Sequence, residues 1–264
     1  MISVIMGVYN NEKTVSRAVK SLLDGSYSDI EVICVDDGST DKSLAELQKL
    51  AQSDKRVKVF VSDKNYGLAH ALNEGLKNSS GEFVARMDGD DFSHPDRLEK
   101  QMRFFEENPQ ISFVGSGAVL VNEKGEKWGE RVFPERPDKN VIIKYNPFIH
   151  PTLVFKKEAL EKVMGYRDIK QTLRCEDYDL IFRLYAEGFI GANLNELLID
   201  YYESESSGKR HSFKTRKNEF FVKRQGAKKL KLGFKGFLYS LKPILLWFLP
   251  EKLYEKMHNK KWKK

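Results

Sequence analysis

Residues 2–41 read ISVIMGVYNNEKTVSRAVKSLLDGSYSDIEVICVDDGSTD, and the periods inside them decide the fold class. Ile2 to Tyr9 is an apolar run of strand length. Val15, Ala18, Val19, Leu22 and Leu23 then recur at helical spacing, and Ile30 to Val35 is a second run, rich in β-branched residues and closed by Asp36-Asp37-Gly38-Ser39. Strand, helix, strand is the pattern of an α/β domain with a mostly parallel, Rossmann-like sheet and helices on both faces.

The same alternation continues outward. Ser39 or Thr40 can cap the next helix, whose stripe is Leu44, Leu47, Leu50 and Ala51. Val57 to Val61 predicts a third strand, Leu68 to Lys77 a third helix, and Phe83 to Met87 a fourth strand ending in Asp88-Gly89-Asp90-Asp91. Pro95-Asp96 opens a helix carrying Leu98, Met102 and Phe105. Beyond it the pattern is less regular. Ile111 to Val121 and Lys127 to Phe133 predict a hairpin, residues 175–187 a helix, and Leu197 to Tyr202 a last strand.

A chain of 264 residues allows one or two domains, and a 41% hydrophobic share excludes wholesale disorder. Two cysteines exclude a disulfide scaffold, and without a CxxC neither Cys34 nor Cys175 suggests a bridge or a zinc site, so a reducing cytosol is the natural compartment. The net charge of +7 conceals a split: Ser207 to Lys264 carries +15 and the preceding residues −8. The division expected is therefore a domain over 1–206 followed by a basic helical segment over 207–264.

No targeting or spanning segment is expected. Met1 to Asn10 lacks a basic stretch, and Phe237 to Leu249, broken by Lys242-Pro243, falls short of the roughly 20 residues that cross a bilayer. Phe237, Leu238, Leu241, Ile244, Leu245 and Phe248 can share one helical face, with Trp247 beside it and Trp262 beyond. Basic flanks suit such a helix to an anionic membrane surface, placing the protein peripherally on the inner face of the cell membrane; the alternative is a helix packed on the domain with solvated lysines. Nucleic acid is not expected as a partner, since no reader motif is present and the body is acidic.

In open α/β sheets ligands bind beyond the carboxyl ends of the strands. Here those ends are Tyr9-Asn10-Asn11-Glu12, Asp36-Asp37 and Asp88-Gly89-Asp90. Several carboxylates on one rim repel unless a cation or hydrogen-bond donors compensate. An Asp-x-Asp turn offers hard oxygens to Mg²⁺ or Mn²⁺, which also binds a diphosphate; the plainer alternative is that the aspartates only shape turns. GxGxxG and GxxxxGK[ST] are both absent, so the phosphates of a nucleotide would depend on a metal at Asp88 and Asp90. Further along, Asp177 of Glu176-Asp177-Tyr178-Asp179 shares a helical face with Leu180, Ile181 and Leu184. It is either a general base in a cleft or an N-cap aspartate held by the helix dipole, with Asp179 paired to Arg183.

Six segments in order carry a family likeness: Val4 to Glu12, Val35 to Asp41, Asn65 to Ala69, Ala85 to Asp91 with Pro95 to Leu98 behind it, His150-Pro151-Thr152, and Glu176 to Leu180. Over about residues 1–205 the chain resembles the family 2 glycosyltransferases, inverting enzymes of GT-A fold that build bacterial surface polysaccharides, and the resemblance implies a catalytic domain over 1–206 with a nucleotide-binding half (1–110) and an acceptor-side half (111–206). The resemblance implies a UDP-sugar donor, with Gly7 and Tyr9 bordering the uracil, Glu12 and Asp37 bonding base or ribose, and Asn65 and Gly67 lining the same pocket. It implies Asp88 on the ribose side, Asp90 on Mn²⁺ or Mg²⁺, and Asp177 as the base that deprotonates a glycan or lipid-linked acceptor. Glu176 and Arg86 are assigned to the acceptor or donor side. Two departures stand out. Leu72 precedes Asn73 where the family often has Arg, leaving Lys64 or Arg86 as substitutes, and Tyr201-Tyr202-Glu203-Ser204 replaces a Tyr-Arg-x-His segment. His150 matches the family without a mechanism, and His70 and His211 have no role. A non-catalytic nucleotide-sugar or glycan-binding subunit is the competing class, favoured by the departures; a sugar nucleotidyltransferase ranks lower because its Gly-rich, Arg-containing first loop is missing.

Overall fold

The computed structural model describes residues 1–203 and 212–248. The first half follows the expected alternation: β1 (Ile2–Val8), α1 (Val15–Leu23), β2 (Ile30–Asp36), α2 (Ser43–Ser53), β3 (Val57–Val61), α3 (Leu68–Lys77) and β4 (Phe83–Arg86). Then come β5 (Phe92–Ser93), α4 (Arg97–Glu107), the β6 (Phe113–Val121) and β7 (Lys127–Arg131) hairpin, α5 (Lys139–Ile142), a 3₁₀ turn at His150–Thr152, β8 (Val154–Lys156), α6 (Lys157–Lys162), α7 (Glu176–Ala186) and β9 (Gly191–Tyr202). The basic segment supplies α8 (Phe213–Lys229) and α9 (Gly233–Trp247).

One sheet runs β3-β2-β1-β4-β8-β6-β9-β5, with β7 on β6. β1, β2, β3 and β4 pair in parallel, as do β6 and β9, while β8 enters antiparallel between β4 and β6. Alternating side chains of β1 feed two cores. Val4, Met6 and Val8 pack with Val15, Val19 and Leu22 of α1, Leu47 of α2 and Leu98 of α4. Ile5 packs on the other face with Ala71 and Leu72 of α3, Leu160 of α6 and Leu180 of α7. Both faces are covered, so the strands are nearly continuous apolar runs.

Three details differ from the sequence reading. Neither Ser39 nor Thr40 caps α2; Lys42 holds that position, and Asp41 organises the turn by accepting bonds from Ser43 N (2.9 Å) and Glu12 N (3.1 Å). Ser39 Oγ instead accepts from Asn10 N at 3.0 Å. β9 starts at Gly191, six residues before the expected Leu197, and β5, α5, β8 and α6 have no counterpart in the sequence reading.

α8 packs on α7 so closely that a Cβ on Gly226 would lie 2.2 Å from Phe182 Cδ1. α9 rests on α8 through Gly236, Ser240 and Pro243. Among the described residues no helix is long and apolar enough to cross a membrane.

Candidate active site

Because β1, β2 and β4 are parallel, their carboxyl ends open on one edge, and backbone-directed side chains knit the loops there together. Asn10 Oδ1 accepts from Thr40 N (2.9 Å), and Asn11 N donates to Ser43 Oγ (2.7 Å). Asn11 also abuts the acidic turn, since a Cβ on Gly89 would come within 3.3 Å of it. Tyr9 stands at this edge, 45% exposed. Glu12 is exposed and its Oε2 accepts from Lys42 N at 3.0 Å. Gly7 lies beneath the edge, where a Cβ would press on Ala71 Cβ at 3.1 Å; glycine here lets α3 approach β1.

After β2, protein donors meet Asp37 on both oxygens and Asp36 on one. Asp37 accepts from Tyr66 N (3.0 Å) and Gly67 N (2.7 Å), and Asp36 Oδ2 from Ser39 N (3.1 Å). Of the two compensations expected for an acidic rim, a cation or hydrogen-bond donors, backbone donors meet both oxygens of Asp37 and one of Asp36, while Asp36 Oδ1 is buried without a partner. Asp37 thereby fixes the 62–67 loop, leaving Asn65 exposed and Gly67 at the start of α3 with φ +102°, a left-handed value that glycine tolerates.

After β4, oxygens of Asp88, Asp90 and Asp91 lie within 4.8 Å of one another. Asp91 is 1% exposed; one oxygen accepts from Tyr202 N at 2.9 Å and the other, Oδ2, has no partner. Burial, then the charges of Asp88 and Asp90, push its carboxyl well above the usual range. A buried oxygen without a partner beside two like charges is what a bound divalent ion would relieve, and three carboxylates are the hard donors that Mg²⁺ or Mn²⁺ prefers. Asp91 was quoted in the motif but given no role. Its importance rests on burial, which the sequence does not display. Tyr202, where a Tyr-Arg-x-His pattern would put other side chains, contributes its backbone N–H to Asp91.

Arg86, buried at the end of β4, donates to Asp88 and leaves Nε and Nη1 without partners. Its charge also reaches Asp91, Tyr166 and Asp177, so one guanidinium lies between the acidic turn and α7. Of the two substitutes considered for the missing arginine, Lys64 is exposed with its ammonium over the Tyr66 ring at 5.0 Å, and Arg86 is the one at the acidic turn. Leu72 itself is core.

At α7 the alternatives for Asp177 separate. Cys175 is the N-cap, so Asp177 does not cap the helix, while Asp179 pairs with Arg183 (2.7 Å) as foreseen and also with Arg167. Asp177 is half-buried and accepts from Asn146 Nδ2 at 2.8 Å. Burial raises its carboxyl, opposed by the Tyr178 N–H, Arg86 and Asn146. Glu176 turns back to accept from Arg174 N (2.9 Å), and burial raises it too. His150 Nε2 meets Tyr166 Oη at 2.8 Å, and burial beside Arg86 holds the imidazole neutral. Asn146 and Tyr166 gave no signal in the sequence, since each depends on contacts far along the chain.

The model of the Glycosyl transferase family 2 matches residues 3–164. The putative glycosyltransferase EpsE of Bacillus subtilis is 37% identical over 261 residues, covering 98% of this chain and 94% of that relative. The amylovoran biosynthesis glycosyltransferase AmsE of Erwinia amylovora is 30% identical over 98% of each. Among solved structures, residues 1–349 of S. aureus TarS in complex with UDP-GlcNAc superpose with a TM-score of 0.71 at 21% identity, over 91% of this chain and 72% of that one. The fold is thus of the GT-A kind expected.

Proposed function

Since the chain belongs to glycosyl transferase family 2, we propose that it moves a sugar from a UDP-sugar to a glycan or lipid-linked glycan acceptor, with inversion, in bacterial polysaccharide synthesis. The observation that carries the donor side is the Asp88–Asp90–Asp91 cluster with its unpartnered buried oxygen. A nucleotide-sugar donor is supported by the fold likeness to proteins solved in complex with UDP-GlcNAc and with GDP-Man and Mn²⁺; of the two nucleotides UDP is the one proposed.

In this reading Tyr9 stacks on the uracil and Glu12 and Asp37 face base or ribose, while Asn65 and Gly67 line the pocket wall and Gly7 its floor. Asp88 faces the ribose side and, with Asp90 and Asp91, would hold Mn²⁺ or Mg²⁺. When bound, such an ion supplies positive charge against the diphosphate of the leaving group. Arg86 offers its two remaining N–H directions to the donor between the acidic turn and α7. Asp177 takes the proton of the acceptor hydroxyl as that oxygen bonds to the anomeric carbon; the sugar–phosphate C–O bond breaks, its electron pair leaves with UDP, and attack from the opposite face inverts the centre. Glu176 shapes the turn that presents Asp177. A panel of UDP-sugars with and without Mn²⁺ tests the donor reading. UDP is expected to raise the melting temperature only with the metal present, and at least one UDP-sugar to release UDP. Equal stabilisation by UDP in EDTA would overturn the metal-dependent site.

We also propose that α9 meets an anionic membrane surface. Of the face expected there, Phe237 and Ile244 are half-buried, Phe237 lying beneath Arg224. The exposed stripe is Phe234 (74%), Leu238 (51%), Leu245 (65%) and Phe248 (76%), with Leu241 between them. These positions share one helical face, and Lys228, Lys229, Lys231, Lys235 and Lys242 are exposed nearby. Trp247 packs edge-on against Phe213, and Trp262 lies outside the described residues. Vesicles containing phosphatidylglycerol should sediment the protein, and the double variant Leu238→Glu/Leu245→Glu should stay in the supernatant. Equal partition of both proteins would refute the assignment.

A further inference from the structure

Asp177 has a side-chain partner on an element far from it in sequence, and that partner is held rigidly. Asn146 Nδ2 donates to Asp177 Oδ2 at 2.8 Å. The amide cannot turn over without loss: its Oδ1 accepts from Phe148 N at 3.3 Å, and an ionised carboxylate can only accept. The segment around it is pinned at several points. Lys144 O accepts from the buried Lys223 Nζ of α8 (3.0 Å), Pro147 O from Asn193 Nδ2 (3.0 Å), and Phe148 and Ile149 are core. On the other side, Asn218 of α8 donates to Lys170 O and Leu173 O, both at 3.0 Å, fixing the turn that leads into α7.

We propose that Asn146 is a positioning residue for the transfer reaction: its amide aims the Asp177 carboxylate and favours the ionised form that can take the acceptor's proton. This rests on the reading of Asp177 as the base. The other groups facing that carboxylate are Arg86 from β4, Tyr166 from the segment after α6, and Cys175, Glu176 and Tyr178 from its own turn and helix. Among these Arg86 is the cation, and it remains in place when Asn146 is changed. The donated bond is therefore the part of the environment that substitution removes.

The test is a titration of the Asp177 side-chain carboxyl by ¹³C NMR in the full chain, the signal assigned by its loss in Asp177→Asn. In Asn146→Ala the midpoint should rise by about one pH unit, because a donor to the charged form has gone. In Asn146→Asp, which keeps the shape and replaces the donor by a second carboxylate, it should rise further. UDP release from the best UDP-sugar of the panel should fall, with its acid limb displaced to higher pH, while UDP affinity in Mn²⁺ is unchanged. Where a variant fails to fold, the wild type still decides: the Asn146 amide resonances must titrate with the Asp177 midpoint and lose that step in Asp177→Asn. A midpoint unmoved in the variants, or Asn146 amide resonances indifferent to Asp177, overturns the proposal. Full turnover by Asp177→Asn would instead overturn the base assignment and leave the contact standing, so the two failures are distinguishable.

Discussion

Asp177→Asn should fold, bind UDP in Mn²⁺ like the wild type, and transfer sugar at least about a hundred-fold more slowly, the scale of a lost general base. The amide matches the carboxylate in shape and keeps an oxygen for Asn146, so the second turn position of α7 is preserved. What disappears is the capacity to accept the acceptor's proton. Steady-state kinetics should show the loss in kcat, with the KM for donor little altered, because in the proposed reading the acidic turn, and not Asp177, meets the donor's diphosphate. A variant retaining wild-type kcat on a glycan acceptor would remove Asp177 from the mechanism.

The second large effect is expected at the acidic turn. Asp90→Asn should abolish the Mn²⁺-dependent gain in melting temperature on adding UDP and slow transfer by about a thousand-fold, equivalent to several kcal/mol of charge stabilisation. Asp91→Asn should do likewise. The same Asp91 substitution should leave the metal-free protein at least as stable as the wild type. Tyr202 N can still donate to the amide oxygen, and a buried charge next to Asp88 and Asp90 has been taken away. Calorimetric melting in EDTA checks the second statement independently of activity. A marked fall in stability there would mean that Asp91 is a structural anchor and not a site for a cation.

Much of this was legible in the sequence where the signal is local. The bounds of α3 agree with the spacing of its apolar residues, and β1, β2 and β3 agree to within a residue, because each buries a run whose period is set by the backbone alone. The acidic turn and Asp177 were legible for a similar reason: carboxylates at a strand end and a helix start are short-range features. The second half was less readable. β8 has three residues, too few for a period, and the start of β9 contains Asn193, a buried polar side chain whose Nδ2 donates to Pro134 O and Pro147 O. No local pattern announces such a strand. For the same reason the sequence pointed to Arg86 without showing that it sits between two groups of carboxylates, and it pointed to Asp37 without showing that backbone N–H groups already meet both of its oxygens.

The α8–α9 pair presents two surfaces with unrelated duties. Its inner side, through Asn218, Lys223 and Gly226, grips the turns beside Asp177 and leaves little latitude for substitution. Among the described residues the outer stripe of α9 is exposed, so its residues are free to diverge while the chemistry stays constant. With the membrane contact proposed for α9, descendants of this scaffold could change where they lodge in the cell by rewriting a single helical stripe, with no reworking of the groups that make the glycosidic bond.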